Sequence, residues 1–352
     1  MTRFVVGVLT AAVVLVVHFG AVLQAQQGVG FLGKSLADWG RDLTSSDPAV
    51  RRAAAFAIGN KGPEAQGWAS RLSALLDDPD PTVRDAAAFA LGKIGPPASL
   101  SAQKKLESLL AKDPSAYVRR SAAYALGRLG PNGASSAGAL AQALKDAEPS
   151  VRQNAAYALG ELGPDVLLFH NAKLADLLRD PDPLVRRDAA VALGRGGPAS
   201  AAAVPQLIAA LSDADTGVRL NAAIALGNIG PAAAQAIPAL TRMIRERAND
   251  RDVWREAVVA LPKIGPGNAG EIIPGMRPAL NHPDPAVRKS AALSFFQHAD
   301  SEAARASLMD MIPLLKDDDV EVRRAAAAFF SNALKHPDPA FDPVWQPLLE
   351  AI

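Results

Sequence analysis

The sequence predicts an all-α fold: a right-handed α-solenoid, or superhelix, of about nine two-helix repeats closed by a C-terminal cap. Three observations carry this prediction: a recurring phrase, helix start and stop signals at the ends of each copy, and an apolar face between them. Self-similarity at a fixed period of this length is the signature of a stacked repeat array. The valine of the phrase recurs at intervals of 33 to 35 residues, at Val50, Val83, Val118, Val151, Val185, Val218, Val253, Val287 and Val322.

Each copy of the phrase has the end signals of one α-helix. In the copy at 80–96, DPTVRDAAAFALGKIGP, Asp80 fits an N-cap and Pro81 fits the first helical position. Gly95 followed by Pro96 predicts the stop. Between these signals, positions 0, +4, +8 and +11 from the valine share one helical face, here Val83, Ala87, Leu91 and Ile94.

A second helical pattern precedes each phrase, as in GWASRLSALLDD at 67–78. The first of these patterns is SLADWGRDL, with Leu36, Trp39 and Leu43 at helical spacing. Two helices in about 34 residues form an αα-hairpin, and one such hairpin is too thin to bury its apolar face alone. The hairpins must therefore stack on one another.

An acid–base pattern accompanies the apolar one. An arginine follows the valine in eight of the nine copies: Arg51, Arg84, Arg119, Arg152, Arg186, Arg219, Arg288 and Arg323. Acids stand six residues before it (Asp78, Asp113, Asp146, Asp180, Asp213 and Asp317) or four before it (Asp47, Asp80, Glu148, Asp182, Asp215, Asp284 and Asp319). We expect each arginine to bridge acids of its own and the adjacent inter-helix turn, as a structural ladder. Trp254 replaces the arginine in the seventh copy, so the ladder should be interrupted there.

The pattern Asp…Val-Arg…Ala…Ala-Leu-Gly…Ile-Gly-Pro resembles HEAT repeats, in the short form also found in phycobilin lyases. The resemblance covers roughly residues 34–350, and it implies a solenoid whose second helices line the concave surface. Copies eight and nine depart from it, because Ser294-Phe295-Phe296 and Phe329-Phe330-Ser331 replace Ala-Leu-Gly. These aromatic residues and the final segment 341–352 suit the cap that ends a solenoid core.

The N-terminus reads as a secretory signal peptide. Arg3 precedes an apolar run from Phe4 to Val17, and small residues near Ala25 suit cleavage. The predicted organisation is a signal peptide at 1–25, a linker at 26–33 and one repeat array at 34–352. The alternative is an uncleaved anchor at 4–22, which is long enough to cross a bilayer. We expect a periplasmic or secreted protein, or one anchored to the inner membrane by residues 4–22 and touching the membrane only there.

Charge and cysteine content narrow the function classes. The chain has 37 Lys and Arg against 36 Asp and Glu, and removing residues 1–25 takes away only Arg3, leaving 36 against 36. A dedicated nucleic-acid binder should show a basic excess, so no nucleic acid is expected as partner. With no cysteine, the chain has neither a lipoprotein anchor nor a disulfide.

The motifs in the sequence that resemble enzymatic ones are better explained by structural roles, and neither a metal nor a cofactor is expected. GVGFLGKS at 28–35 matches the phosphate-binding pattern, but that chemistry needs a strand before the loop and a parallel sheet. The DPDP turns at 78–81 and 180–183 are better explained as caps and arginine partners than as calcium loops. Histidines are scattered over several repeats, and the serines cluster in loops such as GASSAG at 133–138, with no histidine nearby to activate them.

One column of residues does not belong to the core. Position +6 should be exposed and polar, yet it reads Phe56, Phe89, Tyr124, Tyr157, Val191, Ile224, Val259, Leu293 and Ala328. Basic residues flank it at positions +2 and +10, among them Arg52, Arg120, Arg187, Lys93 and Arg128. The column is either an apolar ladder in an open groove or a second buried seam.

The sequence thus predicts a non-enzymatic, exported, monomeric scaffold that binds a protein or peptide partner along the groove. One alternative is polyanion binding, to envelope polysaccharide or nucleic acid, by the basic residues. A phycobilin lyase-like enzyme is the remaining alternative, which export and the lack of cysteine disfavour.

Overall fold

The computed structural model describes residues 34–245, 251–265, 267 and 269–333. These residues contain helices and turns and no strand. They fall into two compact units, one up to Ala102 and the other from Gln103 onward. The predicted signal peptide, linker and C-terminal cap lie outside the described residues, and the single array from 34 to 352 stays a prediction.

The first unit contains repeats 1 and 2 and the start of repeat 3. Leu36–Asp42 and Pro48–Gly59 form repeat 1. In repeat 2, the first helix is divided into a 3₁₀ turn, an α-helical turn and another 3₁₀ turn, and the second helix is continuous. Its segments are Gly62–Trp68, Ala69–Ala74, Leu75–Asp77 and Pro81–Ile94, and Ala98–Ser101 follows.

The second unit contains the rest of repeat 3 and the described parts of repeats 4 to 9. Its second helices are Ala116–Gly127, Pro149–Glu161, Pro183–Gly196, Thr216–Ile229, Arg251–Ile264, Pro285–Gln297 and Val320–Ala333. Apart from the α-helix of repeat 3, the first helices are divided into short α-helical and 3₁₀ segments. They run over Gln103–Lys112, Gly130–Ser136 with Ala137–Ala143, Pro164–Leu167 with Asn171–Asp176 and Leu177–Arg179, Gly197–Ala203 with Val204–Ala210, Gly230–Ala236 with Ile237–Arg245, Ala269–Met276 with Arg277–Asn281, and Glu302–Arg305 with Leu308–Met311 and Ile312–Lys316.

In repeat 2 the second helix begins and ends at the signals in the sequence, whereas in repeats 1 and 3 it ends three residues before the Gly-Pro pair, at Gly59 and Gly127. Asp80 accepts a hydrogen bond from the backbone N–H of Thr82 at 2.7 Å, and Pro81 occupies the first turn. The helix stops at Gly95, whose φ of 77° a residue with a Cβ rarely adopts. The aspartates at the same position in other repeats cap their helices in the same way: Asp47, Asp182, Asp215 and Asp284.

The core follows the predicted apolar face. The valine of the phrase is fully buried in repeats 2 to 9, and only Val50 of repeat 1 is half-buried. In repeats 8 and 9, phenylalanine takes over core volume from leucine: Phe295 and Phe329 are fully buried and meet edge to face at 6.1 Å. Phe296, which stands where earlier repeats have glycine, is 37% exposed.

Consecutive second helices approach each other closely through glycine and alanine. A Cβ added to these glycines would lie between 2.6 and 3.0 Å from the nearest atom of an alanine one repeat later, which is too close for real Cβ atoms. The pairs within one unit are Gly59–Ala90, Gly127–Ala158, Gly160–Ala192, Gly194–Ala225 and Gly227–Ala260. The glycine of the Ala-Leu-Gly element is therefore required by contact with the next helix.

The arginines join neighbouring repeats in a bidentate ladder. Arg152 donates from Nε and Nη2 to the two carboxylate oxygens of Asp180, at 2.7 and 2.8 Å. Its Nη1 donates to the backbone carbonyls of Asp146 and Ala147 in its own turn. The same bidentate bond joins Arg51 to Asp78, Arg119 to Asp146, Arg186 to Asp213 and Arg288 to Asp317. Arg84 and Arg219 make the same bonds to the carbonyls of their own turns.

This geometry differs in one respect from the expected bridge. Each arginine reaches the backbone carbonyls, and not the carboxylates, of its own turn, because the carboxylate there already accepts from other donors. Asp80 and Asp182, which were expected to belong to the ladder, instead accept hydrogen bonds from backbone N–H groups of the helix they cap.

The arginine ladder is interrupted at repeat 7, where Trp254 replaces the arginine. The Trp254 indole donates to the carbonyl of Ile244 at 3.2 Å, and its ring lies 5.6 Å from that of His282. His282 stands six residues before Arg288, where most copies have aspartate. An aromatic contact thus replaces the ion pair between repeats 7 and 8.

One helical stretch in the described part of the chain, Thr216–Ile244, is long and apolar enough to cross a membrane. More than half of its most apolar window is buried inside the protein, and the chain turns at Gly230, where φ is 71°. We interpret it as the second helix of repeat 6 continuing into the first helix of repeat 7.

The close helix approach predicts an asymmetry between two glycines. Gly127→Ala should destabilise the protein by about 1–3 kcal/mol, because the new methyl group meets the backbone of Ala158 at 2.7 Å. Gly138→Ala, also within a helix but with nothing within 4 Å, should be neutral or stabilise by up to about 1 kcal/mol. Denaturant midpoints followed by circular dichroism measure both. Equal stability of the two variants would show that the contact is not limiting.

The ladder predicts a pH-dependent loss. Burial acts to raise the pKa of Asp180, but hydrogen bonds from Arg152 and a backbone N–H and the nearby guanidinium charges lower it overall. Asp180→Ala should cost about 2–3 kcal/mol at pH 7, because it leaves Arg152 without its carboxylate. A lowered pKa stabilises the fold above the unfolded value, so the deficit should shrink as the pH falls below about 4.

Lys104→Ala provides the control for this measurement. Lys104 is exposed and its ion pair with Glu107 lies on the surface, so its loss should cost less than about 1 kcal/mol. A deficit for Asp180→Ala no larger than that of Lys104→Ala, or one that persists at pH 3, would contradict the assigned role.

Candidate functional site

The candidate site is the face of the second helices formed by positions +2, +6 and +10 from each valine, here called the second-helix face. The +6 residue is half-buried in all nine repeats. The apolar column is therefore neither a closed seam nor an open stripe. Each member packs on one side and exposes the other, as the close spacing of the helices imposes.

In the first unit the column is aromatic. The rings of Phe56 and Phe89 stack with centroids 5.8 Å apart and an interplanar angle of 12°. Stacked rings of this kind add stabilisation beyond their buried area. Arg52 is half-buried and Lys93 is exposed, and neither has an acidic partner in the described chain. This unit thus presents a flat aromatic surface with two available cations.

In the second unit the column continues with two tyrosines. Burial raises the pKa of Tyr124, while the charge of Arg128 opposes that shift. The guanidinium of Arg195 lies over the ring of Tyr157, 4.4 Å from its centroid, in a cation–π contact. Repeats 5 to 9 follow with aliphatic residues: Val191, Ile224, Val259, Leu293 and Ala328.

Cations on this face divide into two groups. Arg120 lies over the exposed ring of Tyr117 at 5.4 Å, and Arg128 is exposed; neither forms an ion pair within the described residues. Most basic residues of later repeats are paired, Arg187 with Asp215 at 3.2 Å and Arg195 with Glu161 at 2.7 Å. Lys263, at position +10 of repeat 7, is exposed and forms no ion pair within the described residues. Pairs also join Arg255 to Glu256 and Asp284, and Lys289 and Arg324 to Glu321. Available positive charge is therefore found beside the aromatic part of the column.

The sequence prediction did not include Asp188, which lies beside this column at position +3. It is half-buried and accepts a hydrogen bond from Nε2 of Gln153 at 2.9 Å. Burial raises its pKa, against the effects of Gln153, Arg187 and Arg195. Position +3 is alanine in repeats 1, 2 and 9 but polar in repeats 3 to 8, and that pattern is visible in the sequence: Ser121, Asn154, Asp188, Asn221, Glu256 and Ser290.

The residues that resemble enzymatic motifs have structural partners. Lys34 pairs with Asp42 at 2.7 Å and lies over the Trp39 ring, and Ser35 caps the first helix. Gly28 and Gly33, the glycines of the phosphate-binding pattern, lie outside the described residues. Across the described part of the chain, no group of three or more His, Asp or Glu side chains could hold a metal ion.

Comparison with known proteins agrees with this architecture. The family model for HEAT repeats matches residues 39–102, 103–168, 171–262 and 244–330. The chain belongs to the HEAT-repeat family. No curated protein matches the sequence of this HEAT-repeat protein.

Solved structures show the same fold. An engineered protein superposes with a TM-score of 0.72 at 24% identity, over 91% of this chain and 93% of its own. The Escherichia coli protein YibA gives 0.54 at 18% identity, over 74% and 92%. A chain in a homology model of the full-length AP-3 complex gives 0.58 at 16% identity, over 86% and 57%. The HEAT-repeat solenoid is typical of protein-interaction scaffolds and generally non-catalytic.

Asp188 should cost the protein stability at neutral pH. A raised folded-state pKa means that the stabilising contribution is present below the unfolded value of about 3.8 and is lost as the pH rises through the folded value. Asp188→Asn should therefore match or exceed the native melting temperature at pH 7 and lose that advantage below about pH 4. Asp180→Asn, at a ladder position, should lower the melting temperature at pH 7. Comparable losses in both variants would make Asp188 an ordinary structural carboxylate.

Proposed function

We propose that this protein is an exported, non-enzymatic scaffold that binds a protein or peptide partner along a groove formed by the second-helix face. Residues 1–25 direct its export, to the periplasm or outside the cell. The observation that carries the proposal is the +6 column, which keeps an apolar edge exposed in every repeat. No residue of that column is charged.

The chemistry of the column supports a protein partner. Contiguous apolar surface on a soluble protein marks an interaction site more often than it occurs by chance. Aromatic and arginine side chains are the residues that contribute most to binding energy at interfaces. Here both types lie on one face, and the stacked repeats present them in rows that an extended chain or a helix can follow.

Binding should be strongest at repeats 1 and 2 within the first unit and at repeats 3 and 4 within the second. These repeats carry the four aromatic residues of the column, and their cations Arg52, Lys93, Arg120 and Arg128 lack acidic partners. Repeats 5 to 9 present aliphatic residues, and most of their cations are already paired with acids, Lys263 being the exception within the described residues. A segment bound to repeats 1 and 2, or to repeats 3 and 4, should therefore place apolar and acidic side chains against them.

The unpaired cations also support a second candidate, a polyanion such as an envelope polysaccharide. Binding of a polyanion releases counterions, so its affinity should fall steeply as salt rises. An apolar groove that binds a protein should show a shallow salt dependence, because burial of apolar surface contributes most of the affinity. The salt dependence of the captured complex separates the two candidates.

A pull-down from envelope extract tests the main proposal. The bait is the protein produced from its full-length coding sequence, and the test bait carries Phe89→Ser, Tyr124→Ser and Tyr157→Ser. The matched control bait carries Val191→Ser, Ile224→Ser and Val259→Ser at the same position of repeats 5 to 7. We expect the dissociation constant of the purified partner to rise at least tenfold with the aromatic triple variant and less with the aliphatic one.

Circular dichroism must first show that all three baits are folded. Equal affinity of the native and aromatic-variant baits would mean that the column only packs the repeats, and the proposed groove would be wrong. A slope of affinity on salt that corresponds to several released counterions would favour the polyanion.

A further inference from the structure

One carboxylate beside the second-helix face, that of Asp188, accepts fewer hydrogen bonds from the protein than it can. Asp188 accepts one hydrogen bond, from Gln153 to its Oδ2, and its Oδ1 receives none within the described residues. An ionised carboxylate can accept about four hydrogen bonds. A half-buried carboxylate with one protein donor is under-satisfied, and the missing donors must come from water or a ligand.

Charges around Asp188 leave it uncompensated. The two nearby arginines are each bonded to another acid, Arg187 to Asp215 and Arg195 to Glu161. Three carboxylates thus face two guanidinium groups, which leaves one negative charge. Glu256 stands at the same position of repeat 7, but it is paired with Arg255 at 2.9 Å.

The residues at position +3 of the two neighbouring repeats, Asn154 and Asn221, also have side-chain oxygens that can accept hydrogen bonds. Asn154 donates its amide to the carbonyl of Ser150 at 2.9 Å, and Asn221 donates to that of Gly217 at 2.8 Å. Each amide thus has one N–H bonded to its own helix, and its side-chain oxygen accepts no hydrogen bond within the described residues. Repeats 4, 5 and 6 therefore carry three available acceptor oxygens in one row.

Apolar side chains beside this row form a surface on which the methylene stem of a lysine or arginine can pack. Val191 and Ile224 lie three residues after Asp188 and Asn221 on the same helices, and both are half-buried. Side chains three residues apart are neighbours on a helix surface. Lysine and arginine pack their methylene stems on such apolar surface while the charged end reaches a polar group.

We propose that Asp188, with Asn154 and Asn221, receives the cationic end of a lysine or arginine side chain of the bound partner segment. The proposal rests on the proposed function, and it adds the chemistry of one partner residue. An ammonium group has three donors and a guanidinium five, which suits a row of one carboxylate and two amide oxygens. Within the second unit, a bound segment would then place acidic residues at repeats 3 and 4 and a basic residue at repeats 4 to 6.

Selection from a random peptide library displayed on phage tests this assignment. The target is the protein produced from its full-length coding sequence, beside Asp188→Asn and the control Glu256→Gln. We expect the native protein and Glu256→Gln to select apolar peptides with lysine or arginine enriched at one position. Asp188→Asn should select the same apolar motif without that enrichment.

A double-mutant cycle then measures the contact with one selected peptide. Replacing its lysine with norleucine should weaken binding to the native protein by tenfold to a hundredfold, and binding to Asp188→Asn by less than twofold. Circular dichroism of Asp188→Asn excludes unfolding as the cause.

Each other outcome has a distinct meaning. Apolar peptides selected without a basic residue, or with the same enrichment on Asp188→Asn, would overturn the role of Asp188 and leave the groove intact. If no peptide is selected, the groove itself is wrong, and this inference fails with it. Binding of spermidine that depends on Asp188, in the absence of any selected peptide, would replace the partner side chain with a diffusible amine.

Discussion

The close contact between consecutive second helices is the constraint on which the rest of the structure depends. The glycine at position +9 meets an alanine one repeat later, as Gly127 meets Ala158, and no side chain stands between the two backbones. This spacing brings the +6 residues of successive repeats within stacking distance, as Phe56 and Phe89 illustrate. Small residues in this contact therefore bring neighbouring members of the column together in the repeats that carry the glycine. The half-burial of that column follows from the same geometry, since each member covers part of the next.

The arginine ladder stabilises the other end of the same helices. Each bidentate bond spans from the start of one second helix to the inter-helix turn of the next repeat, as in Arg152 and Asp180. The planar guanidinium matches the two carboxylate oxygens, and its remaining N–H group meets the carbonyls of its own turn. A lysine could not make this set of bonds. Where Trp254 replaces the arginine, an aromatic contact with His282 fills the position, so repeat 7 keeps its packing without the ion pair.

Function in such an array depends on differences between repeats that share one fold. The core positions vary little, whereas positions +2, +3 and +6 change from repeat to repeat. Aromatic residues and unpaired cations are found in repeats 1 to 4, and within the second unit a row of acceptor oxygens lies around Asp188.

The sequence alone determined the repeat, its period, the ends of the second helices and the column at position +6. These features are local or periodic: an N-cap aspartate, a terminal glycine and a valine every 33 to 35 residues act within one hairpin or repeat at fixed spacing. Only the tertiary structure decided which acid each arginine bonds. Asp78 and Asp80 stand two residues apart in the same turn, but Asp78 accepts from Arg51 and Asp80 from the backbone N–H of Thr82. It also decided that Arg187 and Arg195 are paired while Arg120 and Arg128 are not. The tertiary structure also showed that Asp188 accepts a single hydrogen bond, because its donor, Gln153, lies on the neighbouring helix.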